Sequence, residues 1–398
     1  MADGKSGRNG KIKFKKPPAL IYSAAALVMS VKFRTAYGFT VDRGDFAGHR
    51  GPAVILATHT SGQDHILSGL ALWPERPTFV LSEHFMTTPL LRRVLTAMHT
   101  IPKKMFCPDT RAVLRIIKAV RAGNTVVLFP EGRLTWHGRS LRVTDGTAEL
   151  VKKLGVDVFS LCSDGAGKSF PKWSKTPRHG KIRTRIERLF TPEQLKEMSV
   201  GQINEKICAA IAHDEFRAMK GVRYRCKDTA EGLDGLLWKC PSCGGTHSLR
   251  CGNGHVTCED CGLDASIDEY GYVSGTEVEY GIATVADWYD MCVSTIDVSR
   301  PLVTECAVST TDGNGFIMKD CGEGTLSVGP DVISFKGTVA GEEKDVKLKT
   351  SDVKAFPVTL SDHVDIYIDG RLHLFKPLPD PRDAVVLAAY MDKLSAER

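Results

Sequence analysis

The chain has 398 residues, more than one ordinary domain holds, so two to four domains are expected at roughly 100–200 residues each. A hydrophobic content of 42% supplies real cores and excludes a chain too polar to fold. The net charge of +6 conceals an asymmetry: residues 1–225 hold 38 Lys+Arg against 18 Asp+Glu, and residues 226–398 hold 15 against 29. A basic front half suits an anionic partner, and a solvated surface accounts for part of the same charge.

Residues 1–16 read as a basic, disordered N-terminus that closes on Lys11, Lys13, Lys15 and Lys16. Pro17 to Val31 then runs without a charge. That run is shorter than the roughly 20 residues a spanning helix needs. A cationic flank before an apolar helix suits docking in the headgroup layer of a membrane. A packed helix and a cleaved signal peptide are the rival readings. The cysteines weigh against export: Cys107, Cys162, Cys208, Cys226, Cys292, Cys306 and Cys321 have no framework spacing, which fits a reducing compartment and buried, small apolar roles.

Next, Val54-Ile55-Leu56-Ala57-Thr58-His59-Thr60-Ser61-Gly62-Gln63-Asp64 begins as a buried strand, breaks at small polar residues, and resumes as a helix through Ile66, Leu67 and Leu70. His59 therefore sits where a strand ends and Asp64 in the first turn of the helix. A carboxylate five residues on can fold back to fix the tautomer of an imidazole and steady its cation, the needs of a general base. Strands are expected at 53–58, 77–82, 125–129 and 156–161, and helices at 65–72, 88–98, 110–122 and 146–154. Such alternation predicts a mostly parallel sheet with helices on its faces. In the helix at 110–122, Val113, Ile116, Ile117 and Val120 form a core stripe, and Arg111, Arg115, Lys118 and Arg121 a solvated face.

A second strand ends in Phe129-Pro130-Glu131-Gly132-Arg133. Gly132 permits close backbone approach and Arg133 offers a planar fork for phosphate. Glu131 can accept from substrate hydroxyls or hold Arg133. Parallel α/β sheets bind ligands beyond the carboxyl ends of their strands, where both stretches put their polar residues.

His59-x4-Asp64 followed by Phe129-Pro130-Glu131-Gly132-Arg133 resembles the glycerolipid acyltransferase family, and the likeness spans about residues 15–225. Ile101-Pro102-Lys103-Lys104 looks like the family's middle motif, where a basic residue helps hold the acceptor's phosphate. Phe170-Pro171-Lys172-Trp173 looks like the Pro-Arg-Trp stretch of a bacterial subset. Two departures bear on the acceptor: Thr58 stands where the phosphatidic-acid makers usually have Asn, and the third motif reads Gly-Arg rather than Gly-Thr-Arg. The resemblance implies transfer of a fatty acyl group from acyl-CoA or acyl-carrier protein to a lysophospholipid hydroxyl, most simply that of 1-acyl-glycerol-3-phosphate, in phospholipid biosynthesis. His59 and Asp64 would be catalytic. Lys103 or Lys104, with Glu131, Gly132 and Arg133, would hold the acceptor. The expected location is the cytoplasmic face of a membrane, peripheral or monotopic. The rival function is a non-catalytic, membrane-associated zinc-ribbon scaffold that binds a protein partner.

Lys168, Lys172, Lys175, Arg178, Lys181, Arg183, Arg185 and Arg188 surround Trp173. Anionic donors and lipid headgroups explain this charge better than nucleic acid. Residues 192–220 read as one or two helices that close the domain. Further on, Cys240-x2-Cys243-Gly244 and Cys258-x2-Cys261-Gly262 form two knuckles with zinc-ribbon spacing, and four thiolates would close a structural tetrahedron. His247, Cys251 and His255 lie between the knuckles as competing ligands, and a disulfide or redox pair is the alternative. Glu259, Asp260, Asp264, Asp268 and Glu269 argue against nucleic acid here. No catalytic metal is expected.

A short helix is expected at 282–292. Beyond Pro301 the period changes to short alternating runs at about 303–308, 314–319, 323–328, 331–336, 344–349, 353–358, 363–368 and 371–376. Turns such as Asp312-Gly313, Gly329-Pro330 and Asp369-Gly370 separate them, and a last helix runs through Ala384 to Leu394. This order resembles a pleckstrin-homology-like barrel whose acidity suits a protein contact or a packing role. The fold expected is thus an α/β acyltransferase domain at 17–225, a zinc ribbon at 236–264, and a linker helix with an all-β PH-like barrel and C-terminal helix at 282–398.

Overall fold

The computed structural model describes residues 14–276 and 280–397, so most of the basic N-terminus expected at 1–16 lies outside the described residues. Three sheets follow one another along the chain. The first is built from β1 (Thr40–Asp42), β2 (Ala53–Ala57), β3 (Thr78–Ser82), β4 (Ile101–Lys103), β5 (Val126–Leu128), β6 (Asp157–Asp164) and β7 (Arg183–Phe190), in the order β1-β7-β6-β2-β5-β3-β4. Every pairing in it is parallel except β6 with β7.

β2 lies at the middle of this sheet and all five of its residues are buried. Alternate side chains point to opposite faces. Val54 and Leu56 join Ile116, Val120, Val151 and Ile203 on one side; Ile55 and Ala57 join Phe46, Leu72 and Phe159 on the other. A strand covered on both faces reads as an unbroken apolar run, which is why this one was visible in the sequence. Leu56→Ala would cost about 2–5 kcal/mol in such a site.

The covering helices are α1 (Ala19–Tyr37), α2 (Asp64–Leu72), α3 (Pro89–Ala97), α4 (Thr110–Arg121), α5 (Thr147–Leu154), α6 (Ala166–Ser169), α7 (Pro192–Glu197), α8 (Val200–Ile211) and α9 (Glu215–Ala218). The Asp109 side chain caps α4 by accepting from the Ala112 N–H. Of the stripe expected on α4, Ile116, Ile117 and Val120 are buried and Val113 is half-buried at the cavity, with the four cations outside. Three helices, rather than one or two, close the domain over 192–218.

α1 buries Tyr22, Ala26, Phe33 and Tyr37, and the Tyr22 hydroxyl donates to the Gly69 carbonyl of α2 at 3.2 Å. Its other face leaves Leu20, Ile21, Leu27, Val28 and Val31 more than half exposed. By length and composition α1 reaches the size that can cross a membrane, longer than the uncharged run suggested because the helix continues to Tyr37.

The second sheet, order β11-β10-β9-β8, joins β8 (Leu249–Gly252), β9 (His255–Cys258), β10 (Asp264–Ile267) and β11 (Val273–Ser274). A helix, Val285–Ser294, buries Trp288 and Tyr289 next. The third sheet holds β12 (Leu302–Thr311), β13 (Ile317–Val328), β14 (Val332–Val339), β15 (Glu342–Lys349), β16 (Val358–Thr359), β17 (His363–Ile368) and β18 (Arg371–Pro377), all antiparallel. Its order is β15-β14-β13-β12-β18-β17-β16, with β15 and β16 at the two edges. The runs expected at 314–319 and 323–328 are one long strand, β13, and most of 353–358 is not strand. The C-terminal helix, Asp383–Glu397, packs on β16, β17 and β18.

Of the scattered cysteines only Cys292 and Cys306 are buried, and Cys208 is exposed, so the small-apolar role holds for part of the set. The basic stretch at 168–188 is not all surface: Lys168 and Arg178 are buried, with the Arg178 guanidinium 4.3 Å above the Trp173 ring.

Candidate active site

The polar residues collect at the carboxyl edge of the first sheet. His59 follows β2, Lys103 ends β4, and Pro130 to Arg133 follow β5. All three stretches line one cavity of about 830 Å3. Its walls are largely apolar and include Val80, Leu81, Phe85, Leu91, Leu95, Met105 and Ile116. Pro357, Val358 and Thr359, at and beside β16, complete part of the rim, so the third sheet contributes to the cavity.

His59 Nδ1 lies 2.9 Å from Asp64 Oδ2, which also accepts from the Ser61 N–H at 2.8 Å. A carboxylate there fixes the proton on Nδ1 and leaves Nε2 as the base. The His59 ring stacks on Phe129, 4.3 Å between centroids. Burial pushes the Asp64 carboxyl up, and its bond to His59 opposes that shift.

Glu131 is buried, and both of its oxygens are committed to the backbone. They accept from the His59 N–H at 2.9 Å and the Leu141 N–H at 2.6 Å. Its position is that of a brace for the base, not of a group free to meet substrate hydroxyls. Burial pushes the Glu131 carboxyl up to about 8, against those two N–H donors. Gly132 has φ of +78°, and a Cβ there would come within 2.9 Å of the Phe106 ring, so the loop requires glycine.

Arg133 is buried, its guanidinium 4.0 Å above the Trp136 ring. One amino group pairs with Asp392 on the C-terminal helix; Nη1 is buried without a hydrogen-bond partner. The two lysines of the middle motif separate. Lys103 lines the cavity and burial lowers its ammonium pKa. Lys104 turns outward, donating to the Gly370 carbonyl of the third sheet at 2.6 Å.

Two contributors had no signal in the sequence. Glu215, fully buried, accepts from Thr60 Oγ1 at 3.0 Å and from the Gly165 and Gly167 N–H groups at 2.6 and 2.8 Å, pinning the loop that carries His59 to the end of β6. Asp392 reaches Arg133 from the far end of the chain, where no local pattern announces it.

The sulfur atoms of Cys240, Cys243, Cys258 and Cys261 all lie within 4.8 Å of one another, and no other residue among the described ones joins them. Gly244 and Gly262, after each knuckle, have φ of +73° and +75°. Two of the three competing ligands are engaged elsewhere, His247 with Asp383 at 2.7 Å and His255 with Asp264 at 2.8 Å, and Cys251, a free thiol, is not part of the cluster. Four converging thiols, with the Gly245 N–H donating to Cys243 Sγ at 3.4 Å and Ser248 Oγ 3.3 Å from Cys258 Sγ, fit a tetrahedral zinc ion.

Residues 39–164 match the family model described as Acyltransferase. Two curated relatives are 27% identical over 140 residues: 1-acyl-sn-glycerol-3-phosphate acyltransferases, both chloroplastic, of Brassica napus and Arabidopsis thaliana. The match covers 34% of this chain and 40% and 39% of theirs, so the chain spans about two fifths of the length of these relatives. Among solved structures, the 1-acyl-sn-glycerophosphate acyltransferase of Thermotoga maritima aligns with 18% identity and a TM-score of 0.41, over 48% of this chain and 78% of that one.

Proposed function

We propose that the chain, whose residues 39–164 match the Acyltransferase family model, moves a fatty acyl group from acyl-CoA or acyl-carrier protein to the hydroxyl of 1-acyl-glycerol-3-phosphate. The observation that carries this reading is the His59–Asp64 pair at the mouth of an apolar cavity whose rim also holds Arg133 and Lys103. His59 Nε2 takes the hydroxyl proton as the oxygen attacks the thioester carbonyl. Asp64 steadies the imidazolium. The carbon–sulfur bond breaks and the thiolate leaves with a proton. Lys103 and Arg133 supply positive charge for the acceptor's phosphate, and the apolar walls suit acyl chains. Glu131 acts through the backbone of His59 and is a positioning residue.

The exposed apolar face of α1 supports docking to a membrane. The four-cysteine cluster supports a structural zinc ribbon, and the order of the third sheet with its closing helix supports a PH-like module whose role here is packing against the front domain.

The test is thiol release from acyl-CoA, and separately from acyl-carrier protein, with lysophosphatidic acid presented in vesicles. Wild type is expected to turn over, and His59→Ala to lose activity at least about a thousandfold with an unchanged circular dichroism spectrum. Wild-type-like turnover by His59→Ala would end the proposal. A folded wild type with no thiol release from either donor would favour the scaffold reading.

A further inference from the structure

We propose a second metal site, at the seam between the acyltransferase domain and the third sheet, that takes a first-row divalent cation such as Zn2+ on His84, His363 and Asp365. His84 lies in the 3-10 turn Glu83–Thr87 after β3. His363 and Asp365 stand two apart on β17, which puts both on one face of the strand. One ligand atom from each of the three residues falls within 4.8 Å of the others.

The chemistry of the cluster is poorly explained by hydrogen bonding alone. His363 Nε2 and Asp365 Oδ1 face each other at 3.4 Å, yet both are buried and neither has a hydrogen-bond partner. The Asp365 side chain is only 7% exposed. A spacing of about 3.3 Å is what two ligands at ~2.0–2.1 Å from one tetrahedral ion show to each other. The second nitrogen of His363 is already assigned: Nδ1 lies 3.0 Å from Asp362 Oδ2. That carboxylate holds a proton on Nδ1, so Nε2, which faces Asp365 Oδ1, is the nitrogen a metal would take. A histidine backed by a carboxylate is the usual support of a metal ligand. His84 completes the set, with Nδ1 2.9 Å from Asp365 Oδ2, and its ring runs parallel to that of His363 at 6.0 Å.

Two imidazoles and a carboxylate suit zinc better than calcium or magnesium, which prefer oxygen ligands throughout. Ligation through His84 Nδ1 breaks its hydrogen bond to Asp365 and moves the ring proton to Nε2. His84 and Asp365 also line the large cavity, so a fourth ligand can come from there. Because the ligands come from two domains, the ion would fasten the third sheet to the cavity rim that Pro357, Val358 and Thr359 build.

The experiment is metal counting on the full-length protein. Wild type, His363→Gln and Asp365→Asn are equilibrated with Zn2+, dialysed against a weak chelator and analysed by mass spectrometry for metal per chain. Each variant is expected to hold about one equivalent less than wild type. Equal metal content would overturn the site. In case the variants misfold, wild type alone is titrated with Co2+. Thiolate ligands give a near-ultraviolet charge-transfer band; a nitrogen–oxygen site adds visible d–d absorption without it. A further equivalent of that second kind supports the site, and cobalt uptake that always carries the thiolate band overturns it.

Discussion

Asp392, on the C-terminal helix, grips the guanidinium of Arg133 across 259 positions of sequence. Arg133 is one of the two cavity cations that the proposed function gives to the acceptor's phosphate, so on that reading the tail holds part of the binding equipment of the front domain. A phosphate dianion arriving at Arg133 meets the Asp392 carboxylate as a like charge, which costs affinity. Asp392→Asn is therefore expected to lower the acceptor's KM by roughly three- to tenfold, about 0.7–1.4 kcal/mol, with kcat little changed. Burial pushes the Asp392 carboxyl up. In wild type, acidification thus neutralises it before an ordinary carboxyl and frees Arg133, so the KM gap between wild type and variant should narrow as pH falls. Steady-state kinetics on lysophosphatidic acid at several pH values would check both points; a higher KM in Asp392→Asn would mean that the carboxylate orients the arginine.

Asp64→Asn separates charge from shape. The Asn oxygen can still accept from Ser61 and from His59 Nδ1–H, and its amide would replace Oδ1, which is buried without a partner. What is lost is the negative charge that steadies the imidazolium. kcat is expected to fall roughly 10²–10⁴-fold, the range for loss of a general base's support. Burial pushes the Asp64 carboxyl up, so the fold is penalised for holding it ionised. Thermal unfolding should accordingly show a Tm equal to wild type or higher. A kcat within threefold of wild type, by the rough scale of a tenfold loss per 1.4 kcal/mol, would deny Asp64 its role.

The front domain was legible because its signals are local. Five buried residues in β2, the small polar break at His59, and the Pro-Glu-Gly turn after β5 each follow from near neighbours. β7 was missed although Thr184 and Ile186 are buried and Arg183, Arg185 and Glu187 exposed, an alternation that its cation count concealed. The charge asymmetry had a cause that sequence could not show. A part of it is spent inside the molecule: Arg139 meets Asp287 and Asp290, and Arg133 meets Asp392, all acids of the rear half. Contacts between residues hundreds of positions apart carry no periodicity, so Glu215, Asp365 and Asp392 stayed invisible.

Glu131 should leave a mark on stability against pH. Its carboxyl is pushed up to about 8 by burial, from an ordinary value near 4.5. Between these values the folded chain keeps a proton that the unfolded chain releases, so stability falls as pH rises from about 4.5 towards 8 and levels off above. Glu131→Gln removes that slope. It also turns an amide NH2 towards a backbone N–H of His59 or Leu141, leaving one donor unsatisfied at a cost of about 1–3 kcal/mol. Urea unfolding at pH 5 and pH 8 would read both effects. A variant whose stability changes between the two pH values as wild type does would assign the proton to another group.

Metal removal should reach well beyond the ribbon. Cys240 and Cys258 share one apolar cluster with Trp238 and Trp288, and Trp288 Nε1 donates to the Lys239 carbonyl at 3.0 Å, beside the first knuckle. The same cluster continues through Val285 and Cys292 into the third sheet by way of Val308 and Phe375. If zinc closes the four thiolates, its binding free energy is part of the folding free energy of this region. A strong chelator is expected to shift tryptophan emission to the red and lower Tm, as solvent reaches Trp238 and Trp288. Cys243→Ser tests the point with less disturbance, because Cys243 is exposed and its loss opens no cavity. It should reproduce the chelator's emission shift even in the presence of zinc, whereas Cys208→Ser, also at an exposed cysteine but remote from the cluster, should leave both emission and Tm as in wild type. An emission spectrum unmoved by chelator and by Cys243→Ser would mean that the apolar cluster holds the two knuckles without an ion.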